Sequence, residues 1–281
     1  MKHNVILLCM ILFSVLASGK GKKELTILHT SDSHSCIYPL SENLADTMVA
    51  GRGGYLRRIN MLKTERQADK DLLLLDCGDF SQGSSYYTLF KGDVEVGLMN
   101  QMHYDAATIG NHEFDYGMEN MAHLFEMADF PIVCSNYDFT GTPVEGLVKP
   151  YIVLKRNGVK IGIFGLSPVL DGLVAKDRCQ GVTFLDPVKV ANEMVQVLRK
   201  KEKCDLVICL SHLGWSPRDE ISDQALVSHT SGIDIVLGGH THTYLKQLGW
   251  VANPDGKQIP VDHNGKHAVF VGKLKVDLYS K

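Results

Sequence analysis

Short apolar segments alternate along the chain with segments in which apolar residues recur every three or four positions. The nearly continuous apolar segments are typical of strands covered on both faces. The predicted strands are residues 24–30, 71–76, 106–110, 131–135, 151–156, 159–166, 205–211 and 234–237. The predicted helices contain Leu56, Ile59 and Leu62 after Gly53-Gly54, then Val94, Leu98 and Met102, then residues 118–127 and 187–200.

The last part of the chain changes character, because after His242 the pattern predicts strands alone, at residues 244–251, 258–260 and 268–279. Asn157-Gly158 between two strand-like segments is a strong hairpin signal. No internal repeat, low-complexity tract or Pro- or Ser-rich linker divides the sequence, which indicates one domain. Strand–helix alternation with an antiparallel hairpin predicts an α/β fold with a mixed sheet, or two stacked sheets, and helices outside. In such folds ligands bind at the carboxyl ends of the strands.

The first residues have the pattern of a secretory signal. Lys2 and His3 precede an apolar run over residues 5–17, and Ala17 and Gly19 are small residues suited to cleavage. The run is shorter than the roughly 20 apolar residues of a membrane-spanning helix, although an uncleaved anchor is the alternative. We therefore expect a signal peptide over residues 1–19, a domain over 20–281, export to the periplasm or the extracellular medium, and no stable membrane insertion afterwards.

Composition and charge exclude several other classes of protein. The chain has 281 residues, 44% hydrophobic and 22% charged, which is ordinary for a globular domain. The net charge of −3 and the absence of a basic stripe argue against a nucleic-acid polymer as partner. The seven cysteines contain no CxxC pair, so a zinc–thiolate site is not expected. Those inside apolar segments are predicted to be small hydrophobic residues: Cys77, Cys134, Cys204 and Cys209.

Five of the strand-like segments stop at side chains that can bind metal. The residues that follow them are Asp32 and His34, then Asp79, then Asn111 and His112, then His212, and finally His240 and His242. Taken singly, each has a structural explanation as a helix cap, a turn residue or a loop histidine. Five such endings at one edge of a sheet favour a metal site. His240 and His242, two positions apart, would point the same way on a strand.

The types of side chain indicate which metals are bound and how many. Imidazole with carboxylate and amide oxygen suits Zn, Mn, Fe, Co or Ni. Seven candidate ligands exceed the needs of one ion but suit two divalent ions, which in such pairs lie about 3.5–4 Å apart. Asp79 is the expected bridge, because a carboxylate has two oxygens that can bind different ions.

These motifs resemble those of the calcineurin-like metallophosphoesterase superfamily. The likeness is carried by Asp32-x-His34, Gly78-Asp79, Gly110-Asn111-His112-Glu113, His212 and Gly239-His240-x-His242. Residues 111–115 (Asn-His-Glu-Phe-Asp) and 238–243 (Gly-Gly-His-Thr-His-Thr) look like the 5′-nucleotidase branch. The likeness runs from about Leu25 to near the C-terminus.

The resemblance implies a four-layer αββα sandwich with mixed sheets and two metal ions at the strand ends. It assigns one ion to Asp32, His34, Asp79 and His242, and the other to Asp79, Asn111, His212 and His240. It makes His112 and Asp115 catalytic and places Asn111 and His112 against the substrate phosphate. Glu113 is expected to be structural, and Arg57 is expected to be a solvated helix residue.

The implied function is release of phosphate from nucleoside monophosphates or similar small phosphate esters outside the cytoplasm. Two alternatives stay open: a phosphodiesterase or nucleotide-sugar pyrophosphatase on the same core, and a non-catalytic accessory subunit of a split 5′-nucleotidase. Full-length members of the branch carry a C-terminal nucleotide-binding domain, and no part of residues 20–281 matches it. A separate polypeptide supplying that domain, a different substrate, and a metal domain that acts alone are each compatible with this, and the first is favoured.

Overall fold

The computed structural model describes residues 22–215 and 221–279, so the predicted signal peptide lies outside the described residues. The strands are β1 (Lys22–Thr30), β2 (Leu73–Asp76), β3 (Ala106–Ala107), β4 (Ile132–Val133), β5 (Tyr137–Asp138), β6 (Val148–Lys149), β7 (Tyr151–Arg156), β8 (Val159–Leu166), β9 (Thr183–Phe184), β10 (Leu206–Ser211), β11 (Ile235–Gly238), β12 (Gly249–Ala252), β13 (Gln258–His263) and β14 (Gly272–Tyr279). The α-helices are α1 (Tyr55–Ala68), α2 (Ser85–Phe90), α3 (Asp93–Met102), α4 (Gly117–Met127), α5 (Pro187–Gln196) and α6 (Asp223–Ser228). A 3₁₀ turn covers His112–Phe114, and a π-helical turn, Val197–Lys201, extends α5.

Twelve of the fourteen strands named above form two six-stranded mixed sheets. The first has the order β14-β1-β2-β3-β4-β6, in which β14 is antiparallel to β1 and the other neighbours are parallel. The second has the order β12-β13-β11-β10-β8-β7, with an antiparallel pair at each edge. The carboxyl ends of β1, β2 and β3 therefore share one edge of the first sheet, and those of β10 and β11 share one edge of the second.

The two sheets stack face to face between layers of helices. Alternate residues of β2 face different layers. Leu73 and Leu75 pack between the sheets, whereas Leu74 packs against the helices. In the second sheet Ile208 faces inward and Val207 packs outward with α5 and α6. This period of two is the one expected of a strand buried on both sides. The predicted four-layer αββα sandwich is confirmed.

Most predicted elements are present, with bounds that differ near the strand ends. The hairpin β7–β8 has the predicted limits, and Asn157 and Gly158 have φ of 46° and 71°, the positive values of a two-residue hairpin turn. The strand predicted over 106–110 covers only Ala106–Ala107, and the one predicted from residue 244 begins at Gly249. Within the described ranges, no helix is long and apolar enough to cross a bilayer.

In two helices only part of the predicted apolar set is fully buried, and other residues share the buried face. Helix α1 buries Tyr55, Arg58 and Leu62, whereas Leu56 is 51% exposed. Helix α3 buries the predicted Met102 together with Glu95, Val96 and Met99, whereas Val94 and Leu98 are only partly buried. Each helix buries one charged side chain, Arg58 in α1 and Glu95 in α3, because that side chain forms a hydrogen bond with the loop after β1.

Candidate metal centre

The loops that follow β1, β2, β3, β10 and β11 converge at one end of the sandwich. The first two continue to pair beyond their strands, because Asp32 N donates to Gly78 O at 2.9 Å and His34 N donates to Asp79 O at 3.0 Å. The loop after β11 joins them where His240 N donates to Asp32 Oδ1 at 2.9 Å. Backbone hydrogen bonds thus fix loops from both sheets against one another.

Five of the seven predicted ligands have left-handed backbone conformations. Their φ values are 47° at Asp32, 43° at His34, 56° at Asp79, 75° at His240 and 55° at His242. Non-glycine residues seldom adopt this region, and each costs of order 1–3 kcal/mol, so such conformations concentrate at functional sites. The strained backbone conformation of these loops directs the ligand side chains toward the interior of the site.

One cluster of donor atoms is formed by Asp32, His34 and His242, whose ligand atoms lie within 4.8 Å of one another. The two imidazole Nε2 atoms are 2.8 Å apart, and Nε2 of His242 is 3.7 Å from Asp32 Oδ1. Two nitrogen lone pairs and a carboxylate that face each other this closely are well suited to a shared cation.

A second cluster contains Asp79, His212 and His240. Nε2 of His212 is 3.1 Å from Asp79 Oδ2, and the same carboxylate oxygen is 4.0 Å from Nε2 of His34 in the first cluster. Asp79 therefore lies between the two clusters, where a bridging carboxylate is expected.

Asn111 Oδ1 is buried without a hydrogen-bond partner in the described structure, and His212 Nε2 forms no hydrogen bond of good geometry although Asp79 Oδ2 lies 3.1 Å away. Buried polar atoms are normally paired, so an exception requires an explanation such as an ion. The other nitrogen of the His212 ring, Nδ1, is 2.6 Å from the carbonyl oxygen of Cys77 and donates to it. That bond directs Nε2 into the site, as is usual for a metal-binding histidine. The residues present thus fit a divalent metal ion.

The electrostatics of the site favour neutral imidazoles at His34 and His242 and a protonated imidazole at His212. Burial lowers the pKa of His34 to about 3 and that of His242 to about 4. Burial also lowers the pKa of His212, but the neighbouring Asp79 carboxylate outweighs it and raises that pKa to about 10. Although burial opposes the change, His212 holds the pKa of Asp79 well below its usual range. A proton on His212 balances the Asp79 charge here, and a bound cation would take over that role.

His112 and Asp115 lie at the rim of the centre. Nδ1 of His112 is 3.1 Å from Asp115 Oδ2, and its backbone N–H donates to Asp79 Oδ1 at 2.9 Å. Burial opposes protonation of His112, but its hydrogen bond to Asp115 and the Asp79 charge raise its pKa. An open cavity of about 530 Å³ adjoins the pair and is lined by Asp115, Tyr116 and Tyr87. This pair therefore has the geometry of a proton donor and the carboxylate that orients it.

Glu113 supports the Asp79 loop, as predicted. Its buried carboxylate accepts hydrogen bonds from the backbone N–H groups of Asp79 at 3.0 Å, Ser81 at 3.2 Å and Gly110 at 2.6 Å. Gly110 is required beside it, because a Cβ there would lie 2.1 Å from Asp79 Oδ1. These contacts leave no space for a ligand role of Glu113.

The structure brings six of the seven predicted ligands into two clusters that meet at Asp79. The remaining ligand, Asn111, precedes His112, whose backbone N–H donates to Asp79 and whose ring contacts Asp115. One detail of the prediction is wrong, since His240 and His242 lie in a loop rather than on a strand. His242 belongs to the first cluster and His240 to the second, the division that the resemblance implied. Arg57 is exposed as predicted. Sequence reasoning missed the buried side chains beneath the loops, among them Arg58 and Glu95, whose only signal is a charge between apolar helix residues.

The architecture and the paired clusters of imidazole and carboxylate donors define a metal-dependent phosphoesterase domain. A family model described as calcineurin-like phosphoesterase matches residues 25–244. The chain belongs to that family, as the sequence motifs predicted.

Similar proteins include human 5′-nucleotidase, which is 33% identical over 94% of this chain and 45% of the human protein. The trifunctional nucleotide phosphoesterase YfkN of Bacillus subtilis (strain 168) is 29% identical over 91% of this chain and 18% of its own length. Among solved structures, a 5′-nucleotidase precursor from Thermus thermophilus superposes with a TM-score of 0.79 at 30% identity, over 90% of this chain and 51% of that one. The chain spans about half the length of the 5′-nucleotidases it matches, or less.

Proposed function

We propose that this protein is a dinuclear-metal phosphoester hydrolase that releases phosphate from nucleoside monophosphates or similar small phosphate esters. The observation that carries the proposal is the position of Asp79 between two clusters of ligand atoms. One carboxylate oxygen lies 3.1 Å from Nε2 of His212 and 4.0 Å from Nε2 of His34. Such a carboxylate can hold two cations close together, the arrangement that clamps the oxygens of an in-line displacement at phosphorus.

The ligand sets follow from the clusters. Asp32, His34, Asp79 and His242 would hold one ion, and Asp79, Asn111, His212 and His240 would hold the other. Zn, Mn, Co and Fe all suit these donors. When bound, the ions supply an activated water and neutralise charge on the phosphoryl oxygens.

The residues of the chain provide the remaining chemistry. Asn111 and His112 bind the phosphate at the edge of the centre. His112, protonated and hydrogen-bonded through Nδ1 to Asp115, donates a proton to the leaving oxygen from its other ring nitrogen. Asp115 keeps the ring in this orientation and favours its charged form.

The substrate class rests on relatives that are named 5′-nucleotidase. A second candidate is hydrolysis of nucleotide diesters or pyrophosphate bonds, supported by the B. subtilis relative named as a trifunctional nucleotide phosphoesterase. The same pair of ions serves both reactions, because each is an in-line attack on phosphorus.

A substrate panel separates these functions. Purified protein, freed of metal and reloaded with Mn²⁺, Zn²⁺ or Co²⁺, is assayed with AMP, glycerol phosphate, a cyclic nucleotide and a nucleotide sugar. We expect fastest phosphate release from AMP, and a faster rate with the diesters would favour the second candidate. Replacing His112 by Asn should preserve metal content and lower turnover by about 10²–10⁴-fold. Metal binding without cleavage of any ester would support the accessory-subunit alternative instead.

We also propose that the protein acts outside the cytoplasm, after removal of residues 1–19, and that a separate polypeptide completes the nucleotide site. The first proposal rests on the charged, apolar and small-residue pattern of the N-terminal segment. N-terminal sequencing of the exported protein tests it, with Lys20 expected as the first residue. Co-purification of a second chain that lowers the KM for AMP would support the partner, and a KM that no co-expressed chain changes would refute it.

A further inference from the structure

The loop over residues 32–35 sends alternate side chains in opposite directions. Asp32 and His34 contribute to the first cluster of metal ligands. Ser33 and Ser35, which are 1% and 0% exposed, instead contact side chains buried behind the loop. Asp32, His34 and Ser35 all have positive φ, so three of the four residues in this short segment are strained. Its conformation therefore needs support from its surroundings.

Arg58 of helix α1 supports Ser33. This guanidinium is only 4% exposed, and its Nη1 donates to Ser33 Oγ at 2.8 Å. It also donates to the hydroxyl of Tyr104 at 3.4 Å, which lies 2.8 Å from Thr30 Oγ1. Thr30 in turn donates to Asp76 Oδ2 at 2.6 Å. The chain of hydrogen bonds connects helix α1 to the last residues of β1 and β2, from which two of the ligand loops begin.

Glu95 of helix α3 supports Ser35 from a different side. Its carboxylate is fully buried and accepts a hydrogen bond from Ser35 Oγ. Ser35 Oγ also pairs with Ser84, whose side chain caps helix α2. Ser33 is thus connected to helix α1 through Arg58, and Ser35 is connected to helix α3 through Glu95.

These buried charges are not explained by stability alone. Taking an unpaired ion out of water costs several kcal/mol, and apolar residues of similar size would stabilise a core better. Nε and Nη2 of Arg58 and Oε2 of Glu95 have no hydrogen-bond partner in the described part of the chain. Two incompletely paired buried groups that both contact the same ligand loop indicate a role in placing that loop.

We propose that Arg58 and Glu95 are positioning residues for the metal centre, which hold Asp32 and His34 in place through Ser33 and Ser35 and so set the affinity for metal. The inference rests on the metal centre of the proposed function. Removal of such supporting groups typically weakens metal binding by about 10–100-fold. The hydrogen bonds Arg58–Ser33 and Glu95–Ser35 are expected to act separately, because no residue takes part in both.

The test measures binding of Mn²⁺ by calorimetry to the full chain after treatment with a chelator, together with the melting temperature of the metal-free protein. Ser33→Ala and Arg58→Met each remove the hydrogen bond between Arg58 and Ser33, and Glu95→Ala removes the one between Glu95 and Ser35. Glu95→Gln is the conservative variant, because its amide oxygen can still accept from Ser35. Asp234→Asn is the control, since it breaks a partly buried ion pair with Arg199 that contacts none of the ligand loops.

We expect Mn²⁺ affinity about 10–100-fold lower for the three disruptive variants, near the unaltered value for Glu95→Gln, and unchanged for the control despite a lower melting temperature. Unchanged affinity in Ser33→Ala and Glu95→Ala, with melting temperatures lowered as in the control, would overturn the inference. An unaltered chain that binds Mn²⁺ but cleaves no ester would refute the proposed function and leave this inference standing. An unaltered chain that binds no metal would refute both.

Discussion

Replacing Asp115 by Asn is expected to slow phosphate release in a way that depends on pH. The carboxylate lies 3.1 Å from Nδ1 of His112 and favours the imidazolium, so the pKa of His112 is raised. A proton donor is active below its pKa, and activity is lost as the pH rises through that value. Asp115→Asn lowers the pKa of His112 and should move the alkaline limb of the rate profile to lower pH.

The size of the effect follows from the exposure of the pair. The two side chains are 31% and 34% exposed, so water screens their attraction. A pair of this kind is worth roughly 1 kcal/mol, which corresponds to about a fivefold change in an equilibrium constant. Asp115→Asn should therefore lower kcat about fivefold near neutral pH and less at acidic pH. His112→Asn removes the donor itself and should cost about 10²–10⁴-fold at pH values below the pKa of His112 and less above it.

The assay is phosphate release from AMP between pH 5 and pH 10 by the unaltered protein, both single variants and the double variant, with metal content measured for each. Because Asp115 acts through His112, the Asp115→Asn change should have little further effect when His112 is already Asn. A fivefold loss that persists in the double variant would refute this reasoning. So would a loss from Asp115→Asn that is equal at all pH values.

Three further predictions concern the centre and its supports. Gly110→Ala would place a Cβ 2.1 Å from Asp79 Oδ1 and should abolish metal binding. Gly97→Ala in α3 is the control, because a Cβ there meets nothing within 4 Å; it should retain metal and raise the free energy of unfolding by about 0.5–1 kcal/mol. Metal analysis and thermal melts of both variants check this. Mn²⁺ at about 100 times its Kd should raise the free energy of unfolding by about 2.7 kcal/mol for each ion bound, and a melting temperature that a chelator leaves unchanged would contradict it. Burial lowers the pKa of His34 from 6.5 to about 3, so the unfolded chain binds more protons between these values and the metal-free protein should lose stability as the pH falls through them. In urea unfolding, His34→Gln should lose less stability over this range than the unaltered chain.

The ligand positions could be predicted from sequence because a strand end is visible there. An apolar segment stops, and the next polar side chains, such as Asp79 or His212, must lie at the sheet edge. How the ligands divide between two clusters could not be derived from the same pattern. His240 and His242 have left-handed conformations in a loop, so the alternation of a strand does not apply to them. Their separation depends on hydrogen bonds such as the one from His240 N to Asp32, which join residues distant in sequence.

Which face each helix buries could not be predicted fully from the sequence, for a physical reason that helix α1 illustrates. Helix α1 could be predicted to begin after Gly54, whose φ is 91° and whose Cβ would lie 2.8 Å from the backbone of Pro39. Its rotation could not, since the buried set (Tyr55, Arg58 and Leu62) and the predicted set (Leu56, Ile59 and Leu62) both recur every three or four residues. The buried face contains Arg58, whose guanidinium donates to Ser33 in the loop after β1. Because Arg58 is charged, hydropathy alone assigns it to the solvent face, and its burial becomes intelligible only from its contact with a loop distant in sequence.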